Sequence, residues 1–376
     1  MVEVSFAMEN DVHMYQLGLS KDNFERYKSN KVAYNRIINT FVKNSKSEAK
    51  RTHCICCGKE CSSFCNSHSI PKFCLKNISL NGYLYYSGNL VDIPLFEKDK
   101  GLNEAGTFKL ICRECDSQIF SDYENPNNYL DAPTDKMLSQ IAMKNYLKNI
   151  AKRELEIVLY KNLEKVTGNE LSGLQFINYL DLKEYIEGFR YAKKASQSKW
   201  NNYYFMHYFE ILDYVVPLAF QSSVALVADF EGNPINNIYN ASPDYKLSDL
   251  HLCVFPLKDK SVIICFTKNG DKRYRNFFKQ FRKLSKNEKL KAINYIIFSY
   301  SEDVFLYKGL DSDILQNEVL KNVAKKTTIA VADHPFANSL AKAIESFSFN
   351  EMHKIPNLLD EKYRIVYKNN ENTDSL

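Results

Sequence analysis

The spacing of apolar residues predicts helix in the middle of this chain. Residues 134–166 carry apolar side chains at intervals of three and four, which is typical of a long amphipathic helix. Thr134 stands at the position of an N-cap, just before the first apolar residue of that segment. Weaker patterns predict further helix over residues 180–196 and 199–215. The middle of the chain is therefore expected to be mainly helical.

From residue 222 onward the pattern changes to short runs of β-branched and aromatic residues, which predict strands. The runs are "SSVALVADF", "LHLCVFPL", "SVIICFT", "AINYIIFSY" and "DVFLY". Residues 272–291 predict a helix between them, and residues 292–300 could instead be the end of a helix that leads into a strand. Residues 314–346 favour helix again. We expect a mostly antiparallel sheet in this part of the chain.

These patterns predict an α+β protein with four segments. The segments are an N-terminal helical segment (1–50), a cysteine-rich module (51–130), a helical linker region (131–221) and an α+β domain of unknown role (222–376). Within the module, residues 82–96 are rich in strand-forming residues and carry turn residues at 87–89, which favours a β-hairpin.

The composition favours a cytoplasmic protein with no membrane partner. The 376 residues are 45% hydrophobic and carry a formal net charge of +5, which is too small to indicate a nucleic-acid partner by itself. No window approaches the roughly 20 apolar residues that a membrane-spanning helix needs. The N-terminal residues lack a basic start followed by an apolar run, so no signal peptide is predicted.

The cysteines are concentrated in the module. Eight of the ten lie between residues 54 and 115, while Cys253 and Cys265 stand in apolar runs and are predicted to be buried core residues. A disulfide scaffold is typical of short secreted chains, and this chain is neither short nor predicted to be secreted. The clustered cysteines are therefore expected to bind a metal.

Two Cys-x-x-Cys pairs carry the metal prediction. Cys54 with Cys57 and Cys112 with Cys115 can each grip one side of a tetrahedral ion, and together they complete a four-thiolate shell for a structural Zn²⁺. Because all four positions would be filled by protein, such a site is not itself catalytic. The remaining cysteines are predicted to be spare thiols; the alternative is a second zinc site formed by Cys61, Cys65 and His68.

The order of features in the module resembles that of HNH nucleases, which belong to the ββα-metal, treble-clef group. The stretch "CICCGK…NSHSIPKF…GTFKLICRECDSQIF" has a cysteine knuckle, a His-x-Ile-Pro turn, and a second cysteine pair that opens a helix. It is also similar to uncharacterised bacterial proteins, many of them found among phage-defence genes. The residues that carry that similarity are Ser67, His68, Ile70, Lys72, Ala105, Gly106, Thr107, Phe108, Cys112, Cys115, Asp116, Phe120 and Glu124.

The resemblance, which covers residues 51–130, implies roles for three side chains. His68 matches the general base that activates water, and Asp116 matches the last ligand of a catalytic Mg²⁺ or Mn²⁺. Ser67 stands where the family has a metal-binding carboxylate, and Thr107 stands where it has an Asn that orients the base. Glu124 is the predicted substitute for the missing carboxylate, with Asp122 and Tyr123 as competing choices.

Simpler structural roles are open for the same residues. A Ser-His pair ahead of Ile-Pro can cap a turn, so His68 could be structural, and Asp116 could be a first-turn acid favoured by the helix dipole.

The most basic stretch of the chain lies far from the module, at residues 268–291. On a helix, three phenylalanines would share one face, and the predicted phosphate contacts Arg275, Lys279, Arg282 and Lys283 would share the other. Lys72 in the module is a further candidate phosphate contact. The alternative is an ordinary solvated helix face.

Two functions follow as hypotheses. The first is a metal-dependent, HNH-like endonuclease that cleaves DNA or RNA, with an antiphage role implied by the resemblance. The second is a zinc scaffold without catalysis that binds nucleic acid or a protein partner. Association with a second copy of the chain is left open.

Overall fold

The computed structural model describes residues 31–86, 99–167, 172–199, 202–327 and 340–367. They form helices and an antiparallel sheet, which confirms the expected α+β class. The turn predicted near residues 87–89 lies outside the described residues, as do parts of the predicted N-terminal segment and of the helix predicted over residues 314–346.

The first half of the described chain is mainly helical with short strands. Its helices are α1 (Lys31–Glu48), α2 (Lys72–Asn77), α3 (Arg113–Ile119), α4 (Asp135–Thr167) and α5 (Ser172–Gln197). Its strands are β1 (Ser67–His68), β2 (Tyr83–Tyr86), β3 (Asp99–Gly101) and β4 (Thr107–Phe108). The long helix predicted over residues 134–166 corresponds to α4, and Thr134 caps it by accepting a hydrogen bond from the Met137 amide at 3.3 Å.

The second half supplies the long strands. They are β5 (Tyr204–Leu212), β6 (Leu218–Val224), β7 (Leu250–Pro256), β8 (Ser261–Lys268) and the short β9 (Val304–Leu306). The helices are α6 (Arg275–Lys283), α7 (Lys286–Tyr300), α8 (Ser312–Leu315), α9 (Glu318–Ala324) and α10 (Leu340–Ser346). The prediction of a helix over residues 199–215 is wrong, because most of that segment forms β5.

One sheet joins both halves of the chain. Its strand order is β3-β2-β9-β6-β7-β8-β5, and every neighbouring pair is antiparallel. Strands β2 and β3 come from the cysteine-rich module, whereas the other five come from after residue 200. The sheet thus crosses the boundaries that the sequence pattern places between the module and the C-terminal domain.

The central strands are apolar on both sides and therefore separate two cores. Side chains of β7 and β8 alternate, so Cys253 and Ile264 face one core while Val254 and Cys265 face the other. The first core contains the cysteine-rich module with α4 and α5, and the second contains α6 and α7. Cys253 and Cys265 are buried, as predicted. The module and the basic helix consequently lie on opposite faces of the sheet.

Among the described residues, no helix combines the length and the apolar character that crossing a bilayer requires.

Candidate metal centre and acidic pair

The two predicted cysteine pairs converge. The Sγ atoms of Cys54, Cys57, Cys112 and Cys115 all lie within 4.8 Å of one another, and those of Cys57 and Cys112 are 3.9 Å apart. Within the described ranges, this is the one cluster of three or more potential cysteine, histidine or carboxylate ligands. The four thiols could hold a metal ion such as zinc.

Each pair is positioned by a local backbone motif. After Cys54 the chain turns back, and the Gly58 amide donates to the Cys54 carbonyl at 2.8 Å. Gly58 has φ +71°, a left-handed conformation that glycine adopts without a steric penalty. The second pair opens α3, where Cys112 is the N-cap and its Sγ accepts from the Cys115 amide at 3.4 Å.

Backbone amides favour the thiolate form of Cys54. Burial opposes ionisation of Cys54, but hydrogen bonds from the amides of Cys57, Cys112 and Cys56 outweigh it and lower the pKa of Cys54 to about 7. The Cys112 amide approaches the Cys54 Sγ at 3.3 Å. For Cys115, burial and the neighbouring thiols raise the pKa instead.

The other cysteines of the module make different contacts. The thiol of Cys61 donates to the Lys59 carbonyl at 3.4 Å, and that of Cys65 donates to Asp116 Oδ2 at 3.2 Å. Cys56 and Cys74 are buried. Cys61, Cys65 and His68 are not among the convergent ligand groups of the described residues, so the alternative of a second zinc site is not supported.

The metal cluster adjoins a second, two-stranded sheet, which is followed by a helix. Strands β1 and β4 pair antiparallel, with His68 opposite Thr107, and α3 follows β4 after four residues. Gly106, just before β4, has φ +63°, and a Cβ there would lie 2.5 Å from the Phe305 ring and 2.7 Å from Ser69 Oγ. Glycine at this position therefore lets the two-stranded sheet pack directly against β9 of the large sheet.

His68 is held by a backbone carbonyl rather than by the expected side chain at position 107. Its Nε2 lies 3.0 Å from the Leu102 carbonyl oxygen, an arrangement in which the ring nitrogen is the donor. Burial lowers the pKa of the half-buried imidazole and outweighs the hydrogen bond to the Leu102 carbonyl, which acts in the opposite direction. The positive charges of Lys72 and Lys144 also lower this pKa, so the surroundings favour the neutral ring.

Asp116 and Glu124 lie close together, and both contact the ammonium group of Lys144, a residue that the sequence analysis did not identify. Lys144 Nζ lies 2.8 Å from Asp116 Oδ1, 3.1 Å from Glu124 Oε1 and 2.6 Å from Ser67 Oγ. Ser67 Oγ in turn donates to Asp116 Oδ1 at 2.7 Å. Helix α3 ends at Ile119, so Glu124 lies in the turn after it rather than further along the helix.

The lysine is completely enclosed. Its side chain is 0% exposed, and Nζ lies 4.0 Å from the centre of the Phe120 ring. Burial opposes ionisation of Asp116, but Lys144 outweighs it and lowers the pKa of that carboxyl group. The pKa of Glu124 is raised, because its burial outweighs the effect of the same lysine. The positive charge between the predicted Mg²⁺ or Mn²⁺ ligands is thus supplied by the protein itself.

The competing acids beside Glu124 have other partners. Asp122 pairs with Lys136 at 2.6 Å and accepts from Gln140, and the Tyr123 ring is fully buried.

The predicted nucleic-acid contacts fall on two separate surfaces. Lys72 lies in α2 on the module side, where its ammonium group donates to Asn103 Oδ1 at 2.9 Å. The other four lie on α6, on the opposite side of the sheet. As predicted, Phe277, Phe278 and Phe281 of α6 are buried, while Arg275, Lys279, Arg282 and Lys283 are exposed.

Two features were missed at the sequence level. Lys144 sits three residues after Ile141 and three before Leu147, so it falls on the apolar face of α4, which is the signal that could have revealed a buried lysine. Phe205 and His207 went unnoticed because their segment was assigned to a helix.

No family model, curated protein or solved structure matches this chain. The resemblance to HNH nucleases therefore rests on the quoted motifs alone.

Proposed function

We propose that this chain is a nucleic-acid-binding protein in which a structural Zn²⁺ holds an HNH-like, treble-clef module that does not cut. The observation that carries the proposal is the basic face of α6. Its four exposed cations, Arg275, Lys279, Arg282 and Lys283, form no ion pair with any carboxylate in the described part of the chain. Unpaired cations in a row attract phosphates without reading sequence.

The zinc assignment is supported by the shape of the cysteine cluster. Zn–S bonds of about 2.3 Å in a tetrahedron place neighbouring sulfur atoms about 3.8 Å apart, close to the 3.9 Å between Cys57 and Cys112. Four thiols leave no open position on the ion, so its role here is to hold the knuckle and α3 together. The order of a cysteine knuckle, a His-x-Ile-Pro turn and a second cysteine pair that opens α3 supports the treble-clef assignment.

The absence of cutting is argued from Lys144. A divalent cation held by Asp116 and Glu124 would have to occupy the space of an ammonium group that contacts both carboxylates. Two cations at one position repel strongly in a buried site. In this conformation the acidic pair has a structural role, as the counter-charge of a buried lysine.

The metal-dependent endonuclease is the second candidate, and the geometry of His68 favours it. When Nε2–H donates to the Leu102 carbonyl, Nδ1 keeps its lone pair, and burial, which lowers the pKa of His68, favours this neutral form. Such an imidazole can accept a proton from water. This function further requires Lys144 to leave the acidic pair so that Mg²⁺ or Mn²⁺ can bind. An antiphage role belongs to this candidate through the resemblance alone.

A salt titration of binding tests the first proposal. We expect the variant Arg275→Gln/Lys279→Gln/Arg282→Gln/Lys283→Gln to bind labelled nucleic acid at least tenfold more weakly than the wild type. The slope of log affinity against log salt should also fall by about 3, because up to four phosphate contacts are lost. Lys258→Gln, which removes another exposed lysine, is the matched control and should change neither quantity. Unchanged affinity in the quadruple variant would refute binding through α6.

The same protein separates binding from cutting. Plasmid and RNA are incubated with the wild type and with His68→Ala in Mg²⁺ or Mn²⁺, and the products are resolved under denaturing conditions. We expect intact nucleic acid in every lane. Metal-dependent fragments that disappear in His68→Ala would replace the first proposal with the second.

A further inference from the structure

We propose that the nucleic acid bound beside α6 is single-stranded, with one base stacked on the exposed ring of Phe205 at the edge of the sheet. This inference rests on the proposed function, because it assumes that α6 binds the phosphates. It adds the class of ligand and a second binding residue, on a different element from the predicted contacts.

Phe205 is an exposed aromatic residue on an edge strand. Among the residues that the structure describes, β5 is the last strand of the sheet and β8 is its one partner. The side chain of Phe205 is 53% exposed, although phenylalanine is a residue that proteins usually bury. Phe205 pairs with Thr267, two residues from Cys265, whose side chain points to the core beneath α6. Phe205 therefore lies on the same side of the sheet as the basic helix.

A short series of rings fixes the distance between Phe205 and α6. The Phe205 ring meets the ring of His207 edge-on, with 4.8 Å between their centres. His207 in turn stacks flat on Phe278 of α6, with centres 3.7 Å apart and planes inclined by 2°. Its Nε2 also lies 2.9 Å from Thr267 Oγ1, which holds the imidazole in place. The exposed phenylalanine is thus attached to the helix that carries the cations.

Positive charge is close to this series of rings. Arg282 is one helical turn beyond Phe278, and burial together with the charge of Arg282 lowers the pKa of His207 to about 4. Asp271 acts on the pKa of His207 in the opposite direction, so an acid also lies near these rings. Because His207 is neutral at pH 7, it adds no positive charge, and the exposed cations of α6 are the ones that we assign to the phosphates.

An exposed ring beside a row of cations fits a single strand better than a duplex. A duplex hides the faces of its bases and would offer α6 only phosphates. A single strand can place phosphates on the cations and stack a base on an aromatic ring, which contributes binding energy with any base. An acidic protein segment could also neutralise the cations. Unlike a single strand, however, it does not carry a flat aromatic face on every unit that could stack on Phe205.

The test compares single-stranded and double-stranded oligonucleotides of the same sequence, as DNA and as RNA, by fluorescence anisotropy. We expect Phe205→Ala to weaken binding of the single strands on the order of tenfold, with little change for the duplex. Phe205→Trp should restore the affinity because it keeps an aromatic face. Phe176→Ala, which removes a phenylalanine of similar exposure (48%) on α5, is the matched control and should have no effect. The DNA and RNA arms show which single strand is preferred.

Three results would overturn the inference. They are an unchanged single-strand affinity in Phe205→Ala, an equal loss for duplex and single strand, and equal competition by polyglutamate and by an unlabelled single strand. The quadruple α6 variant, measured alongside, separates the two proposals. If it loses binding while Phe205→Ala does not, only the stacking site fails; if it binds like the wild type, the proposed function fails as well.

Discussion

Among single residues, Lys144 determines the electrostatics beside the candidate metal centre. Its ammonium group is the counter-charge of two carboxylates and also contacts a hydroxyl group and an aromatic face. A buried ion pair adds little stability relative to apolar side chains, but removing one partner leaves the other uncompensated. The acidic pair therefore depends on Lys144, whichever function the module has.

Lys144→Met tests that dependence. We expect the free energy of unfolding to fall by about 3–5 kcal/mol, because Asp116 and Glu124 would be left close together without a cation. Urea denaturation measures the change. The control Lys161→Met removes an exposed lysine of the same helix and should stay within about 0.5 kcal/mol of the wild type. A Lys144→Met protein as stable as the control would show that the pair is not balanced by this lysine.

The sequence predicted the four convergent cysteines better than the acidic site beside them. A Cys-x-x-Cys pair is a local signal, so Cys54, Cys57, Cys112 and Cys115 could be chosen from spacing alone. The partner of Asp116 and Glu124 could not, because Lys144 is brought to them by the packing of α4 against the module.

At the scale of elements, α4 connects the module to the sheet through a row of lysines. Lys144, Lys148 and Lys152 follow one another at four-residue intervals and therefore share one face of the helix. Lys144 pairs with acids of the module, whereas Lys148 pairs with Asp303 and Lys152 with Glu302, both at 2.8 Å. The periodicity predicted the helix correctly, but it could not indicate the partners of these lysines, because those acids lie elsewhere in the chain.

The cap of α4 gives a prediction at this scale. Thr134→Ala removes the side-chain oxygen that accepts from the Met137 amide and should cost about 1 kcal/mol of stability. Thr134→Ser keeps the hydroxyl group and should cost much less. Thermal or urea denaturation of the two variants makes the comparison, and equal losses would show that the hydroxyl group does not cap the helix.

The wrong assignment of residues 199–215 has a physical reason. The segment "NNYYFMHYFEIL" is crowded with aromatic residues, which are enriched in strands, so the helix prediction gave this composition too little weight. Pairing with the apolar strand β8 stabilises this segment as a strand. A local sequence pattern cannot indicate a partner strand that begins some 50 residues later.

At the scale of the whole molecule, the cysteine-rich module is built into the fold. Strands β2 and β3 extend the large sheet, β2 pairs directly with β9, and Gly106 allows close packing against Phe305. The module also shares one core with α4, α5 and the central strands. Because of these contacts, a change at the cysteine cluster is expected to alter the stability of the parts of the chain that pack against the module.

Removing the metal should therefore destabilise the fold as a whole and not only the cysteine-rich module. We expect a strong chelator to lower the melting temperature by roughly 5–10 °C, because the bound ion stabilises only the folded state. Differential scanning fluorimetry measures the shift, and adding back Zn²⁺ should reverse it. A melting curve that is identical with and without chelator would contradict a structural metal.

The metal content of the purified protein, measured by mass spectrometry under native conditions, tests the structural zinc site most directly. We expect one zinc ion per chain, lost in Cys112→Ser and retained in Cys61→Ser, a matched substitution of a thiol in the same module. A folded wild-type chain without metal, or a Cys112→Ser protein that keeps its full zinc content, would contradict this expectation.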